Sequence, residues 1–183
     1  TVQRLFGWHA ALFPTGYSGL SPIRVGAWRT DAQGPMQVVS GPLHRPRVHY
    51  QAPPADTLDA EMALFLDWFN TASHDDPLVK AGLAHLWFVT IHPFDDGNGR
   101  IARAVGDLAL SRAEQSTQRY YSLSAQIQRE RKAYYNCLEA TQKGDLDVTD
   151  WLTWFLRCLL SAVQGAEKTL ASVLAKARFW QHW

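Results

Sequence analysis

Twelve consecutive residues constrain this chain more than any other stretch: His92, Pro93, Phe94, Asp95, Asp96, Gly97, Asn98, Gly99, Arg100, Ile101, Ala102 and Arg103. Upstream, Leu83, Leu86, Trp87 and Ile91 recur at helical spacing and predict a buried amphipathic helix. Pro93 should stop it. Because proline disfavours the helical region for its predecessor, His92 is expected to be extended, with its ring turned from the helix axis. Phe94 is then the apolar anchor of the loop. Gly97 and Gly99 lack a Cβ and tolerate positive φ, so the N–H groups of Gly97, Asn98 and Gly99 can converge on one point. Downstream, Ile101, Val105 and Leu108 share a stripe that leaves out Arg100 and Arg103, so the loop opens a second helix.

A helix N-terminus offers unpaired N–H donors and partial positive charge, which suits an anion, most often phosphate. Arg100 and Arg103 add fork-shaped donors in the first turn, enough positive charge for a polyphosphate. Asp96 would repel phosphates unless a cation stood between, and Mg²⁺ held by one or two carboxylates plus phosphate oxygens is the common solution. His92 titrates near neutrality and is placed to take a proton from an attacking hydroxyl. Each part has an ordinary explanation: a histidine that ends a helix, Asp-Gly and Asn-Gly turns, an Arg103–Asp107 ion pair. The ordered string favours phosphate-group transfer instead.

The string resembles the signature of the Fic family, His-Pro-Phe-x-Asp/Glu-Gly-Asn-Gly-Arg-x-x-Arg, and residues 92–103 match every specified position. The resemblance implies a mainly α fold, a compact Fic-type helical bundle with a small β-hairpin called the flap. It implies a protein adenylyltransferase that moves AMP from ATP to a Tyr, Ser or Thr hydroxyl of a target protein and releases pyrophosphate. In that scheme His92 is the base and Asp96 holds Mg²⁺ against the α- and β-phosphates. Gly97, Asn98 and Gly99 form the anion hole, Arg100 and Arg103 hold the outer phosphates, and Phe94 anchors the loop. An aromatic pair, here Tyr134 and Tyr135, followed by a polar amide, here Gln142, borders the adenine. Family members often carry Asn at that amide, so nucleotide choice stays open. The protein substrate is aligned on the flap, and self-modification and a homodimer stay open.

The remaining sequence fits one Fic-type domain over residues 1–183. With a net charge of +1 and a pI near 7.8, nothing argues for nucleic acid or an anionic membrane as partner. Cys137 and Cys158 lack metal-type spacing and read as reduced, buried thiols, with a disulfide left open. No signal peptide is visible, and the richest apolar run, Trp151 to Val163, contains Arg157 and is too short to span a bilayer, which together suggest a cytoplasmic protein. Thr1 to Phe13 predicts a helix with Leu5, Trp8 and Leu12 inward, closed by Pro14 and Gly16. Opening without methionine and inside a helix, the chain reads as a piece of a longer bacterial protein.

Residues 26–50 gather β-formers among Gly and Pro and predict the flap hairpin, with His44 and His49 in surface roles. The family's flap ends in a similar Tyr-x-x-Pro-Pro, here Tyr50 to Pro54, and a hairpin edge suits strand addition. Asp56 or Thr57 is expected to cap a helix whose stripe is Leu58, Met62, Phe65, Leu66 and Phe69. His74, Asp75 and Asp76 read as a solvated turn, and His85 as a structural histidine. Ser122 or Ser124 should cap a helix running to about Gln142, with Arg129, Arg131 and Lys132 on its solvated face. One of Tyr134 and Tyr135 is expected in the core. Thr149 or Asp150 starts a helix buried through Trp151, Trp154, Phe155, Leu159 and Leu160, and residues 165–183 hold a last amphipathic helix from Leu170, open to a further domain.

Many Fic proteins carry an inhibitory helix, Ser/Thr-x-x-x-Glu-Gly/Asn, whose glutamate pairs with the second signature arginine. Thr57 to Glu61 has the spacing, but Met62 follows where Gly or Asn is required. The expectation is that no inhibitor lies within these residues and that Arg103 is unrestrained. Relatives of the fold transfer UMP, phosphocholine or phosphate, or remove AMP, and an ATP-sensing regulatory binding protein is the reading from a different class. An intact His92 argues against pure sensing, because binding a nucleotide needs no base.

Overall fold

The structure is a computed structural model that describes residues 1–42, 44–72, 76–116 and 118–181. In chain order its elements are α1 (Val2–Leu12), β1 (Tyr17–Ser18), β2 (Ser21–Pro22), β3 (Gln37–Ser40), β4 (Arg47–Gln51), a 3₁₀ turn (Ala55–Thr57), α2 (Leu58–Asn70), α3 (Pro77–Ile91), α4 (Asn98–Glu114), α5 (Leu123–Arg129), α6 (Arg131–Lys143) and α7 (Thr149–Gln181). The described fold is mainly α, with two antiparallel two-stranded hairpins, β1–β2 and β3–β4.

α3 is the centre, packed by α2, α4 and α7. Asp76 caps its first turn by accepting from Leu78 N and Val79 N at 2.8 and 3.2 Å, and Pro77 fits the first helical position, where no N–H is needed. Its residues are apolar on nearly every side, so Ala81, Ala84, His85, Phe88 and Ile91 are all buried while Leu83 and Trp87 are half-buried. A helix of that kind belongs inside a bundle, which corrects the one-sided stripe predicted for it. Each fully buried Phe or Ile contributes about 2 kcal/mol. Small residues let the neighbours close in. At Gly82 an added Cβ would stand 3.0 Å from the Phe155 ring, and the Gly82 carbonyl accepts the Trp151 indole N–H at 2.9 Å.

Several expectations are corrected by tertiary packing. On α1 the buried pair is Leu5 and His9, while Trp8 and Leu12 are half-buried. Neither Asp56 nor Thr57 caps α2 with its side chain: the 3₁₀ turn leads directly in, and the Thr57 hydroxyl donates to Pro54 O at 2.8 Å. The predicted hairpin narrows to residues 37–51, with Val38 opposite Tyr50 and Val39 opposite Val48 across a bulge, and β1–β2 was not foreseen. The helix expected to reach Gln142 breaks at Glu130 into α5 and α6, with Ser122 as the cap of α5. α7 is one continuous helix of 33 residues, so the separate last helix does not exist, and Leu160 is exposed rather than buried. Cys137 and Cys158 are free thiols, the second buried. His74 and Asp75 lie outside the described residues. Among the described residues no helix is long and apolar enough to cross a membrane.

Candidate active site

α3 ends at Ile91, and His92 closes it in the left-handed region, φ 52° and ψ 57°, with its N–H still bonded to Phe88 O at 3.1 Å. This corrects the extended conformation predicted for His92. Pro93 excludes only the right-handed helical region, and the left-handed one also ends a helix, here at a residue type that tolerates it. His92 Nδ1 lies 3.1 Å from Val89 O. A carbonyl only accepts, so Nδ1 carries the proton and Nε2 keeps its lone pair. Burial lowers the His92 pKa and outweighs the hydrogen bond to Val89, so the ring is neutral at pH 7.

The loop after Pro93 is held by its own side chains. Asn98 Oδ1 accepts Phe94 N–H at 2.9 Å and its Nδ2 donates to Phe94 O at 2.7 Å. The Phe94 ring is wholly buried and stacks on His9 at 4.1 Å, with Trp28 at 5.2 Å. Gly97 has φ 83°, and a Cβ there would stand 2.8 Å from Phe13, so only glycine fits. Asp95 Oδ2 accepts Arg24 N–H at 2.7 Å, while Asp96 accepts from the Ser18 hydroxyl and, through Oδ1, from Gly97 N–H at 2.5 Å.

Two supports were missed in the sequence. His9 receives the Gly26 N–H at Nδ1 and therefore donates from Nε2 to Asp96 O, both at 3.1 Å. Its only signal was the four-residue step from Leu5 on the inward stripe of α1. Arg29 is buried and pairs with Asp31 at 2.7 Å, and it donates through Nε to His92 O at 2.8 Å and through NH2 to Pro53 O at 2.5 Å. One guanidinium thus ties the signature loop to the chain that leaves the β3–β4 hairpin. Nothing local marked it.

α4 begins at Asn98, so the N–H groups of Asn98 and Gly99 have no intrahelical acceptor. Arg103, one turn on, has no ion pair among the described residues, because Asp107 pairs with Arg119 at 3.0 Å instead. Arg100 is exposed and lies over the Phe13 ring at 4.5 Å.

These groups border a cavity of about 810 Å³, lined by His92, Asp95, Asp96, Asn98, Gly99 and Arg103 on one side. Gln37 to Ser40, His49 and Tyr50 of the hairpin form another wall, and α6 supplies Tyr134, Tyr135, Glu139 and Gln142. Tyr134 is the buried member of its pair, bonded through its hydroxyl to His85 Nε2 at 3.1 Å, and Tyr135 is about half exposed. Gln142 Nε2 donates to Thr90 Oγ1 at 3.1 Å and leaves its carbonyl oxygen free to accept, while Tyr50 OH donates to Thr90 O at 2.8 Å. Arg131 and Lys132 are exposed, in keeping with their reading as a solvated face, and also border the cavity, with Arg131 over Tyr135 at 5.6 Å. His49 is likewise more than a surface residue. It lies within 2.6 Å of both Ser40 Oγ and Glu139 Oε2.

Among the described residues no group of three His, Cys, Asp or Glu side chains could by itself enclose a metal ion. Asp96, an exposed carboxylate beside the helix N-terminus, does fit a cation whose other ligands come from phosphate and water, as Mg²⁺ accepts.

A helical bundle that presents a loop histidine and a helix N-terminus to one hairpin-walled cavity defines a class of fold shared with solved proteins. A Fic family protein from Desulfovibrio desulfuricans superimposes with a TM-score of 0.72 at 29% identity, over 92% of this chain and 47% of that one. The model of the Fic/DOC family matches residues 1–110, and the chain belongs to that family. Fic-1 of Caenorhabditis elegans shares the fold, with a TM-score of 0.68 at 22% identity over 94% of this chain and 44% of that one. A protein adenylyltransferase Fic of Drosophila willistoni is 36% identical over 100 residues, 54% of this chain and 19% of its own length. One of Nematostella vectensis is 30% identical over 131 residues, 70% of this chain and 27% of its own length. A uridine 5'-monophosphate transferase of Xanthomonas campestris is 41% identical over 68 residues, 33% of this chain and 12% of its own length. The chain thus spans about a fifth to a quarter of the first two of these relatives.

Proposed function

We propose that this chain transfers AMP from ATP to a Tyr, Ser or Thr hydroxyl of a protein substrate. The observation that carries this is the His92 ring: Nδ1 is fixed on Val89 O, Nε2 is unprotonated, and the ring borders the same cavity as the free N–H groups at the start of α4. Nε2 takes the proton from the hydroxyl, the oxygen attacks the α-phosphorus, the α–β bridging bond breaks, and pyrophosphate leaves. The N–H groups of Asn98 and Gly99 and the Arg103 guanidinium bind the phosphates, and Arg100, exposed in the first turn of α4, is assigned to the outer ones. Gly97 serves by its backbone turn. Asp96 would hold Mg²⁺, which supplies charge neutralisation on the phosphates when bound. Tyr134, Tyr135 and Gln142 border the base, and the β3–β4 hairpin takes the acceptor segment on its open edge.

A second reading is transfer of UMP, favoured by the Xanthomonas relative and by Gln142, whose free carbonyl oxygen accepts from an adenine amine or a uracil N–H alike. Presenting the protein with Mg²⁺ and α-labelled ATP or α-labelled UTP in a bacterial lysate separates the two. Label on protein from ATP alone is the expected result, label from UTP alone establishes the second reading, and label from neither rejects both.

A further inference from the structure

The β3–β4 hairpin is held to the helical body by few side chains. At its base Tyr50 OH reaches Thr90 O. Beyond that point, among the described residues, the polar side-chain contacts from the hairpin to a helix converge on one carboxylate, Glu139 of α6. Its Oε1 accepts from Arg47 NH2 at 3.1 Å and from Lys143 Nζ at 2.6 Å. Its Oε2 faces His49 Nδ1 at 2.6 Å, and His49 Nε2 in turn meets Ser40 Oγ at 2.6 Å. A single acid thus reaches both strands, β4 directly and β3 through the imidazole. Lys143 and then His49 pull the Glu139 pKa down to about 2, so the carboxylate is charged at any working pH.

Resting on the reading that the hairpin aligns a protein acceptor, we infer that Glu139 is a positioning residue: a clasp that fixes the hairpin against α6 and so places the acceptor strand relative to His92. The site favours this over an incidental surface pair. Isolated exposed ion pairs contribute little, but here two cationic side chains, Arg47 and Lys143, and the His49 imidazole share one carboxylate. The two strand residues lie about 90 positions from Glu139 in sequence, so the contact is a tertiary one. The same helix carries Tyr135 and Gln142 on the cavity, so the clasp ties the hairpin to a wall of the cavity that His92 borders. Hairpins of two strands are marginal alone, and this one depends on such outside contacts for its place.

The test compares wild type, Glu139→Ala and the charge-reversed pair Arg47→Glu/Glu139→Arg. Amide hydrogen exchange over residues 38–48, with and without Mg²⁺ and a non-hydrolysable ATP analogue, reports the hairpin directly and is independent of any activity. Faster exchange confined to the hairpin in Glu139→Ala, partly restored in the reversed pair, is expected. Labelling of lysate proteins from α-labelled ATP should fall on the order of ten- to a hundredfold in Glu139→Ala, while affinity for the analogue changes less than about twofold. Unchanged hairpin exchange in Glu139→Ala overturns the clasp. Faster exchange with undiminished labelling overturns its positioning role. A wild type that labels nothing rejects the transferase reading, and the exchange experiment still decides the clasp.

Discussion

Asn98 and Phe94 close the signature loop on each other: the amide oxygen takes the Phe94 N–H at 2.9 Å and the amide nitrogen reaches the Phe94 carbonyl at 2.7 Å. Only a side chain with a donor and an acceptor on one planar group satisfies both. Both residues are buried, so no water replaces a lost bond. Asn98→Ala leaves a buried N–H and a buried C=O unpaired and is expected to cost about 3 kcal/mol. For a chain of this length that is a fall in Tm of roughly 6–12 °C, measurable by calorimetry.

Gly97→Ala should be nearly as costly. The new methyl meets Phe13 at the base of the loop, in a backbone conformation that alanine adopts with strain. A loss of about 2 kcal/mol or more is expected. Nucleotide binding should weaken with it, because Phe13 also lies under Arg100. A melt and a titration with an ATP analogue check the two effects separately.

Arg29→Met removes the guanidinium that joins His92 O, Asp31 and Pro53 O. Three acceptors lose a charged donor at once, and the expected cost is about 3 kcal/mol. Denaturant unfolding measures it. A variant that melts like wild type would show that Arg29 is not the link between loop and hairpin.

His85 makes stability depend on pH. Burial first, and the Arg103 charge second, push its pKa from 6.5 to about 3. Between those values the unfolded chain binds a proton that the folded chain refuses, so stability is full above pH 6.5 and falls as the pH drops. The slope is about 1.4 kcal/mol per pH unit from this group, with His9 and His92 adding in the same direction. His85→Asn should be less stable at pH 7 yet lose less on going to pH 4, as followed by denaturant midpoints.

The parts legible in the sequence were those whose partners are close in the chain. Pro93, Gly97 and the polar string around them announce a helix–loop–helix because each acts on its own backbone. Tyr134 and Tyr135 could be read as one core and one half-exposed ring because a helix cannot bury both neighbours equally. The roles of His9, Arg29 and Glu139 were not legible, since the bonds that give them those roles, to Asp96 O, His92 O and Arg47, span 63 to 92 positions. The continuity of α7 was missed for a different reason. Its C-terminal half, with Leu170, Val173, Leu174 and Trp180 exposed, carries an amphipathic pattern of its own although no described element covers it.

The measurement that tests the central claim most directly compares wild type with His92→Ala, each with Mg²⁺ and either α- or γ-labelled ATP in a bacterial lysate. Protein-bound α-label without γ-label, reduced on the order of a hundredfold or more in the variant, is the predicted result. Equal α-labelling by the two proteins, or protein-bound γ-label in place of α-label, would contradict the assignment of His92 as the base of an AMP transfer.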